Sequence, residues 1–369
     1  MSKNDRKQEL ALVNVLLCLA VIFIHVSGWG INNADRTSWQ YAALMIPWRL
    51  CSLAVPGFIF LSAIKVAFTA DREDFSYVRY IVSRIKRVWL PYAFAVHVYF
   101  LIFIAVGWME PSAVELAKLL LDGNMSYHFY FVVIIMQFYL LVPLWRWLSK
   151  KLSDPVFAVI AVAASLPISQ LFGQYLVDVI HVFYKGALFP YSDRVFTTYL
   201  FWWMLGLALG ANYERVKAAL EKNILPVGVF YALCAVHNVF FTYLNTTGRE
   251  SIYWLETANI LYVFSAVLFL FCMSCKMSDG RLAGGFLMRE LDGAAYMIYL
   301  WHPMALNVAD MLISGTALSI FAKLSVRGLF GFIITPVVCI GCRFALRYLR
   351  RIICKKSEKD ACGGENRHG

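Results

Sequence analysis

Apolar residues in this chain fall into long runs, which short polar segments separate. A run of about 20 apolar residues is long enough for an α-helix to cross the hydrocarbon core of a bilayer. Ten such stretches can be marked, with ends defined to about 2–4 residues, at 10–28, 42–69, 88–108, 128–147, 156–176, 196–211, 224–244, 252–275, 294–313 and 328–346. The pattern predicts an all-α fold, a polytopic membrane bundle of about ten transmembrane helices.

Composition supports the same class. Hydrophobic residues make up 60% of the 369 residues and charged residues only 15%, a balance that one soluble core cannot hide. We therefore predict a multi-pass membrane protein. Residues 1–354 are expected to form a single membrane domain, and residues 355–369 a polar cytoplasmic tail that is disordered. The mixed segment 177–191 could be a re-entrant or interfacial stretch, which would make nine or eleven helices possible.

Basic residues indicate the orientation. An even number of crossings puts both termini on one side of the membrane, and with a cytoplasmic N-terminus the cytoplasmic segments hold 25 of the 34 lysines and arginines. The positive-inside rule therefore predicts cytoplasmic N and C termini. The same bias accounts for the net charge of +11. The expected partner is the lipid bilayer and not a nucleic acid.

Ionisable residues inside or at the ends of the apolar stretches are the candidates for chemistry, because such groups are costly in hydrocarbon and should face the bundle interior. They are His25, Arg49, Lys65, His97, His128, His237, Glu256, His302 and Asp310. Each also has a structural interpretation, and His25 and Arg49 are the hardest to explain in that way. Arg49 could polarise a carbonyl or bind an anionic acceptor, or it could form a structural ion pair with Glu256.

Three cations precede Pro91 after the second stretch: Arg84, Lys86 and Arg87. They satisfy the positive-inside rule without any further role. Alternatively, Arg84 and Arg87 at i, i+3 can share one helical face and bind phosphates.

The chain has nine cysteines, and two pairs have the spacing of zinc ligands. These are Cys272 with Cys275 and Cys339 with Cys342. Both pairs lie in apolar stretches towards the predicted cytoplasmic side, where thiols stay reduced and commonly pack as small hydrophobic groups. We expect packing and no metal site.

Five segments in order resemble the integral-membrane acyltransferase 3 family, whose members move acyl groups onto cell-surface sugars and related acceptors. They are the apolar run closing on His25; Arg49 followed by Ala54-Val55-Pro56-Gly57-Phe58-Ile59-Phe60-Leu61-Ser62; Arg84-x-x-Arg87-x-x-x-Pro91; His128-Phe129-Tyr130-Phe131 with Tyr139-Leu140-Leu141-Val142-Pro143; and Ala295-Tyr296-Met297-Ile298-Tyr299-Leu300-Trp301-His302-Pro303. The chain departs from the family pattern at Asn14, where many members carry arginine, and no carboxylate closely follows His25.

The resemblance implies a membrane O-acyltransferase with His25 as general base, and a histidine near neutral pKa suits that task. The expected donor is acyl-CoA, most simply acetyl-CoA, and the expected acceptor is a surface carbohydrate or cell-wall hydroxyl. His25 lies about 15 residues into its helix, on the order of 20 Å across the bilayer. An extended cofactor could join it to phosphate-binding cations at the cytoplasmic edge, which are Arg84, Lys86 and Arg87.

The remaining site predictions are catalytic for Arg49 and substrate-binding for His128, Tyr127, His302 and Glu256. Two other classes of function stay open at this point. A secondary transporter also has about ten spans and buried charges, although paired broken helices are not evident. A catalytically silent ligand-binding membrane module would fit the departure at Asn14.

Overall fold

The protein is helical throughout its described length. The computed structural model describes residues 7–172, 191–249, 251–252, 254–278 and 285–364. Over these residues it has sixteen α-helices and no β-strand, which confirms the all-α prediction. In chain order they are α1 (Gln8–Asn33), α2 (Trp39–Leu50), α3 (Ala54–Ala67), α4 (Tyr77–Arg84), α5 (Leu90–Ala105), α6 (Ala113–Asp122), α7 (Tyr130–Leu140), α8 (Val142–Lys151), α9 (Pro155–Gln170), α10 (Leu200–Ala211), α11 (Tyr213–Lys222), α12 (Ile224–Thr246), α13 (Leu255–Ser278), α14 (Phe286–Ile313), α15 (Ile320–Gly328) and α16 (Thr335–Gly364).

Fewer helices have the length and hydropathy of a full membrane crossing than the ten apolar stretches suggest. Within the described residues six qualify: Gln8–Asn33, Trp39–Ala67, Tyr77–Ala105, Ile224–Thr246, Leu255–Ser278 and Ile320–Leu349. The pair α7 and α8, bent by 66°, makes a seventh if it is one span. Two further apolar helices, Pro155–Gln170 and Phe196–Ala211, are shorter. A multi-pass helical bundle is confirmed, and the count of ten and the orientation of the termini stay predictions.

Helix α14 shows why length alone does not decide a span. It has 28 residues, enough to cross a bilayer. Its second half contains His302, Asn307 and Asp310, which lower its hydropathy. Helix α14 is therefore the long helix least typical of a plain membrane anchor, and it carries two ionisable candidates, His302 and Asp310.

Two predictions concern segments that border residues outside the described ranges. The possible re-entrant segment 177–191 falls, except for Tyr191, outside the described residues. Helix α16 includes residues 355–364 of the predicted tail, and the division into a membrane domain and a tail stays a prediction. No proline follows Pro336 in this helix, and nothing in the sequence ends it before Gly363 and Gly364.

Proline residues, a 3₁₀ turn and two π-helical segments interrupt several of the apolar stretches. Pro47 lies inside α2, and a 3₁₀ turn at Cys51–Leu53 joins α2 to α3. Pro143 lies at the start of α8, where its missing N–H helps to separate α8 from α7. π-helical segments link α4 to α5 at Ile85–Trp89 and α15 to α16 at Leu329–Ile334.

Glycines allow α10 to approach α3 closely. A Cβ added at Gly206 would overlap the carbonyl oxygen of Phe60, and one at Gly210 would lie 2.6 Å from Cβ of Ala67. The four-residue spacing puts both glycines on one helix face, an arrangement that lets membrane helices pack backbone to backbone. This contact holds the second span in place.

Replacing Gly206 by alanine is expected to destabilise the fold, because the obstacle is backbone that cannot rotate away. Overpacking of this kind costs roughly 1–3 kcal/mol. The measurement is the thermal midpoint of the purified protein in detergent. Gly341→Ala is the matched control, since nothing lies within 4 Å of its added Cβ and alanine favours a helix. Equal midpoints for the two variants would contradict the close approach.

The start of α1 is fixed against α11. The Glu9 carboxylate accepts a hydrogen bond from the Tyr213 hydroxyl at 2.8 Å and lies 3.1 Å from the Lys217 ammonium. Lys7 pairs with Glu214 at 2.5 Å. These contacts anchor the helix that carries the first candidate base.

Candidate functional site

A cavity of about 510 Å³ opens among α1, α2, α3, α7, α14 and α15. Aromatic and aliphatic side chains form most of its wall, among them Trp29 and Trp48. Its polar and titratable lining residues include His25, Tyr127, His128, Tyr299, Asp310 and Arg327. A concave, mostly apolar pocket with a few convergent polar groups is the usual form of a small-molecule site.

Three imidazoles and one phenol meet beside this cavity. The ring centre of His25 lies 4.4 Å from that of Tyr127, 5.3 Å from His302 and 6.3 Å from His128. The rings of His128 and His302 are 5.1 Å apart. These residues come from α1, α14 and the segment before α7, and each is a candidate from the sequence. The fold brings all four together.

Pro303 shapes the part of α14 that carries His302. Proline has no N–H, so the carbonyl of Tyr299 lacks its normal helical donor. The His302 Nδ1 lies 2.9 Å from this carbonyl oxygen and 3.1 Å from that of Ile298. The imidazole thus donates where the proline cannot, and the adjacent His-Pro pair in the sequence fixes the ring.

A hydroxyl from α5 completes the same turn. Tyr99 donates to the carbonyl oxygen of Leu300 at 3.0 Å and accepts from the Met304 N–H at 3.0 Å. These two backbone groups would otherwise pair with each other in an unbroken helix. The Tyr99 hydroxyl is therefore inserted into the backbone ladder of α14, next to the proline.

The hydrogen bonds of His302 determine which ring nitrogen is free. Carbonyl oxygens only accept, so Nδ1 carries the proton and Nε2 of the neutral ring holds a lone pair. This Nε2 is buried and has no protein partner, and the same is true of His128 Nε2. The other nitrogen of His128 lies 3.1 Å from the Ser126 hydroxyl. Unpaired buried nitrogens beside a cavity are suited to a hydroxyl or a water that enters it.

Replacing Tyr99 by phenylalanine is expected to destabilise the protein and to displace His302. The change leaves the Leu300 carbonyl and the Met304 N–H buried without partners, at a cost of about 1–3 kcal/mol. The thermal midpoint of the purified protein measures this loss. Tyr77→Phe is the control, because its hydroxyl makes one hydrogen bond, to Leu140, from an exposed side chain. An unchanged midpoint for Tyr99→Phe would contradict the inserted hydroxyl.

An ion pair that sequence reasoning did not single out forms another part of the wall. Arg327 is buried and pairs with Asp310, whose side chain is 37% exposed. Arg327 also donates through Nη2 to the His25 carbonyl at 2.7 Å and through Nε to the Val26 carbonyl at 3.1 Å. Asp310 is one of the ionisable candidates of the sequence analysis. Arg327 is not, because it lies in the polar segment just before the last apolar stretch. Asp310 lies near the end of α14 and Arg327 lies in α15, 17 residues further along the chain. Their opposite charges at this short separation are the sequence signal that could have identified the pair.

Arg49 and Glu256 lie outside the lining of this cavity. They form an ion pair with 3.5 Å between Nη2 and Oε1. Arg49 Nε donates to Asn238 at 3.3 Å, and Asn259 accepts from both Asn238 and Ser52. This network joins α2, α12 and α13, and within it Arg49 is buried whereas the Glu256 side chain is largely exposed. The pairing is the structural alternative left open by the sequence, and the catalytic and substrate-binding roles of the pair stay predictions.

The three candidate phosphate-binding cations differ in exposure. Arg84 ends α4, with its guanidinium carbon 4.6 Å from the ring centre of Tyr80 and 4.8 Å from that of Tyr139. Its Nε is buried without a hydrogen-bond partner. Lys86 and Arg87 are exposed on the π segment. The π segment begins at Ile85, so Arg84 and Arg87 do not lie in one continuous α-helix.

An aromatic column on α14 connects the π segment to the histidines. The Tyr296 hydroxyl donates to the Val88 carbonyl at 2.8 Å, within the segment that carries Lys86 and Arg87. The Tyr296 and Tyr299 rings are 6.1 Å apart, and the Tyr299 hydroxyl donates to the His128 carbonyl. One face of α14 therefore spans the distance between the cations and the histidines.

Other features offer less chemistry. A crevice of about 830 Å³ among α9, α10, α11 and α13 is lined by apolar side chains, with Arg215 as the one charged residue among the described lining. Cys272, Cys275 and Cys339 are free and buried. Across the part of the chain that the structure describes, no group of three or more His, Cys, Asp or Glu side chains is arranged to hold a metal ion.

Comparisons with known proteins agree with this membrane architecture. The acyltransferase domain model of family 3 (Acyl_transf_3) matches residues 8–344. A probable poly-β-1,6-N-acetyl-D-glucosamine export protein of Staphylococcus epidermidis is 23% identical over 96% of each chain. A protein of the same description from Staphylococcus aureus strain MW2 is 24% identical over 94% of this chain and 95% of its own. No solved structure is significantly similar. The chain belongs to the acyltransferase 3 family and is a multi-pass bacterial membrane acyltransferase.

Proposed function

We propose that this protein transfers an acyl group, in the simplest case acetyl, from acyl-CoA to a hydroxyl of an extracytoplasmic carbohydrate. The observation that carries the proposal is the position of His25, at the wall of an aromatic cavity and beside two further histidines. A histidine at a mostly apolar wall is suited to proton transfer from a bound alcohol.

The proposed reaction has His25 as general base. It removes the proton of the acceptor hydroxyl as that oxygen attacks the thioester carbonyl carbon. A carbon–oxygen bond forms and the carbon–sulfur bond breaks. The imidazolium returns the proton to the departing thiolate, so coenzyme A leaves as a thiol and His25 ends neutral. His302 and His128 surround the base, and Tyr127 stands at the cavity wall, where it contacts the acceptor.

The proposed donor approaches from the end of the bundle that carries Arg84, Lys86 and Arg87. Its phosphates contact these cations, and its thioester arm follows the aromatic column of Tyr296 and Tyr299 towards the cavity. Two features support this route. The Arg84 Nε is buried and lacks a hydrogen-bond partner, and Tyr296 ties the column to the cation-bearing segment.

The proposed acceptor is a sugar hydroxyl of a surface polysaccharide or cell-wall polymer. Two tryptophans, Trp29 and Trp48, give the cavity flat apolar faces of the kind on which a sugar ring can pack. The relatives are described as probable export proteins of poly-β-1,6-N-acetyl-D-glucosamine, which is a carbohydrate. Both points favour a glycan over a small soluble alcohol.

The proposed topology has ten crossings and cytoplasmic termini. All ten apolar stretches of the sequence coincide with helices where the structure describes them. The distribution of lysine and arginine then puts the cation-bearing segment in the cytoplasm, where coenzyme A is made available, and the acceptor on the opposite side.

Acyl transfer by the purified protein in nanodiscs tests the proposal. Labelled acetyl-CoA is supplied with an oligosaccharide of β-1,6-linked N-acetylglucosamine, and the expected product is an alkali-labile ester on the sugar. Free coenzyme A should appear in equal amount. Release of coenzyme A without a sugar ester, or no release at all, would contradict transfer to this acceptor class.

The word export in the relatives' descriptions favours a second candidate, which is carbohydrate transport. Proteoliposomes loaded with the same labelled oligosaccharide separate the two. Flux that needs no acyl-CoA supports transport, whereas ester formation without flux supports acyl transfer.

A further inference from the structure

The helical turn that carries His25 is weakened by its own sequence. Ser27 donates to the Phe23 carbonyl at 2.6 Å, a side-chain bond that competes with the helix ladder. Gly28 and Gly30 follow within α1, and glycine inside a helix is less favourable than alanine by roughly 1 kcal/mol. A base on such a turn needs support from outside its own helix if its imidazole is to keep one position.

Arg327 supplies that support at the required place. Its guanidinium donates to the carbonyl oxygens of His25 and Val26, the two residues at the start of the weakened turn. A guanidinium presents several donors in a fixed plane, so it can hold two successive carbonyls and a carboxylate at once. The side chain of Arg327 is 6% exposed, and a charge so buried requires a partner, which Asp310 provides.

The backbone around Arg327 is arranged to bring it close to α1. The residue lies at the end of α15, directly before the π segment Leu329–Ile334. Within that segment, a Cβ added at Gly331 would lie 2.9 Å from the side chain of Ile22 and 3.0 Å from that of Val26. π segments are frequent at functional sites, and this one presses the backbone against the turn before and after His25.

We infer that Arg327, held by Asp310, is a positioning residue that fixes the backbone of α1 at His25. The inference rests on the proposed role of His25 as base. It also explains how His25 is held although no carboxylate lies near it in the sequence. Arg327, 302 residues further along the chain, bonds to the main chain of His25.

Hydrogen–deuterium exchange tests the backbone role without any acyl transfer. In an intact helix the amides of Trp29 and Gly30 bond to the carbonyls that Arg327 contacts. In nanodiscs, Arg327→Gln is expected to speed exchange in the peptide that covers residues 25–30 by about tenfold or more, the scale of a lost charge-assisted hydrogen bond. Arg327→Lys keeps the charge but not the fork of donors, and it should give a smaller increase.

The control is Lys118→Gln, which breaks an exposed ion pair with Glu115 away from the cavity and should leave residues 25–30 unchanged. Unchanged exchange in both Arg327 variants would overturn the inference. If Arg327→Gln does not yield a monodisperse protein, Arg327→Lys and Asp310→Asn carry the test by the same criterion. Hydrogen–deuterium exchange needs no substrate. If the wild-type protein shows no acyl transfer, the proposed function is rejected, but the exchange experiment still tests the backbone role of Arg327.

Kinetics add the second readout. A positioning role predicts that Arg327→Lys lowers kcat by about 10–10²-fold while the KM for the acceptor changes less than about twofold, since only the alignment of the base is lost. A higher acceptor KM at unchanged kcat would overturn the inference, because it would make the Arg327–Asp310 pair a part of the acceptor-binding surface.

Discussion

Replacing His25 by glutamine is expected to lower the kcat of acyl transfer by about 10²–10⁴-fold, the range associated with loss of a general base. Glutamine keeps a polar side chain at the cavity but cannot accept the acceptor's proton at neutral pH. Ester formation and release of coenzyme A should fall together. The KM for acyl-CoA should change little, because the proposed phosphate contacts lie at the other end of the aromatic column.

The matched control is His97→Gln. His97 is exposed on α5, with its Nδ1 2.6 Å from the carbonyl of Ala93, and it does not line the cavity. Both variants must elute as a single species and melt near the wild-type temperature for their rates to be compared. A wild-type kcat for folded His25→Gln would reject this histidine as the base, whatever the other histidines do.

Replacing Arg84 and Arg87 together by glutamine is expected to weaken acyl-CoA binding by about 10–10²-fold. Two charge-assisted hydrogen bonds to phosphate are worth about 1.5–3 kcal/mol each, and part of this is recovered by water. Calorimetric titration with coenzyme A measures the dissociation constant directly, with no acceptor present. The single variants should differ, since Arg84 also packs against two tyrosine rings and its loss exposes them.

Lys150→Gln with Lys151→Gln provides the control for charge. These residues are two exposed cations at the end of α8, on the same predicted side of the membrane. Removing them changes the net charge by the same amount without touching the π segment. A dissociation constant that rises equally in both double variants would mean that coenzyme A responds to the general surface potential, and a constant unchanged in Arg84→Gln/Arg87→Gln would put the phosphate site elsewhere.

The sequence identifies the aromatic and histidine side of the site well, because ionisable residues in apolar stretches are few and costly. His25, His128 and His302 are candidates on that ground, and they lie in one cluster with Tyr127, which is predicted to bind the acceptor. The family assignment rests on motifs in order and is confirmed over residues 8–344. What these residues do in catalysis remains a proposal.

The sequence does not reveal contacts that depend on helix packing. Arg327 resembles any other cation near the end of a helix until α15 is packed against α1. Arg49 illustrates the opposite case. It follows His25 in the order of the family motifs, but it contacts Asn238 and Glu256 and does not line the cavity. The number of crossings is also hard to read from hydropathy, because polar residues in α14 lower the mean hydropathy of a helix that is long enough to span a bilayer.

Helix α5 has a mechanical consequence for the two ends of the protein. It starts directly after the π segment that carries Lys86 and Arg87, and about 14 Å further along it presents the Tyr99 hydroxyl to the turn of α14 that contains Pro303. A helix moves as a stiff rod over this length, so a displacement at the cations reaches the turn that orients His302. Under the proposed function, α5 therefore links the contact of the donor with the cations to the orientation of His302.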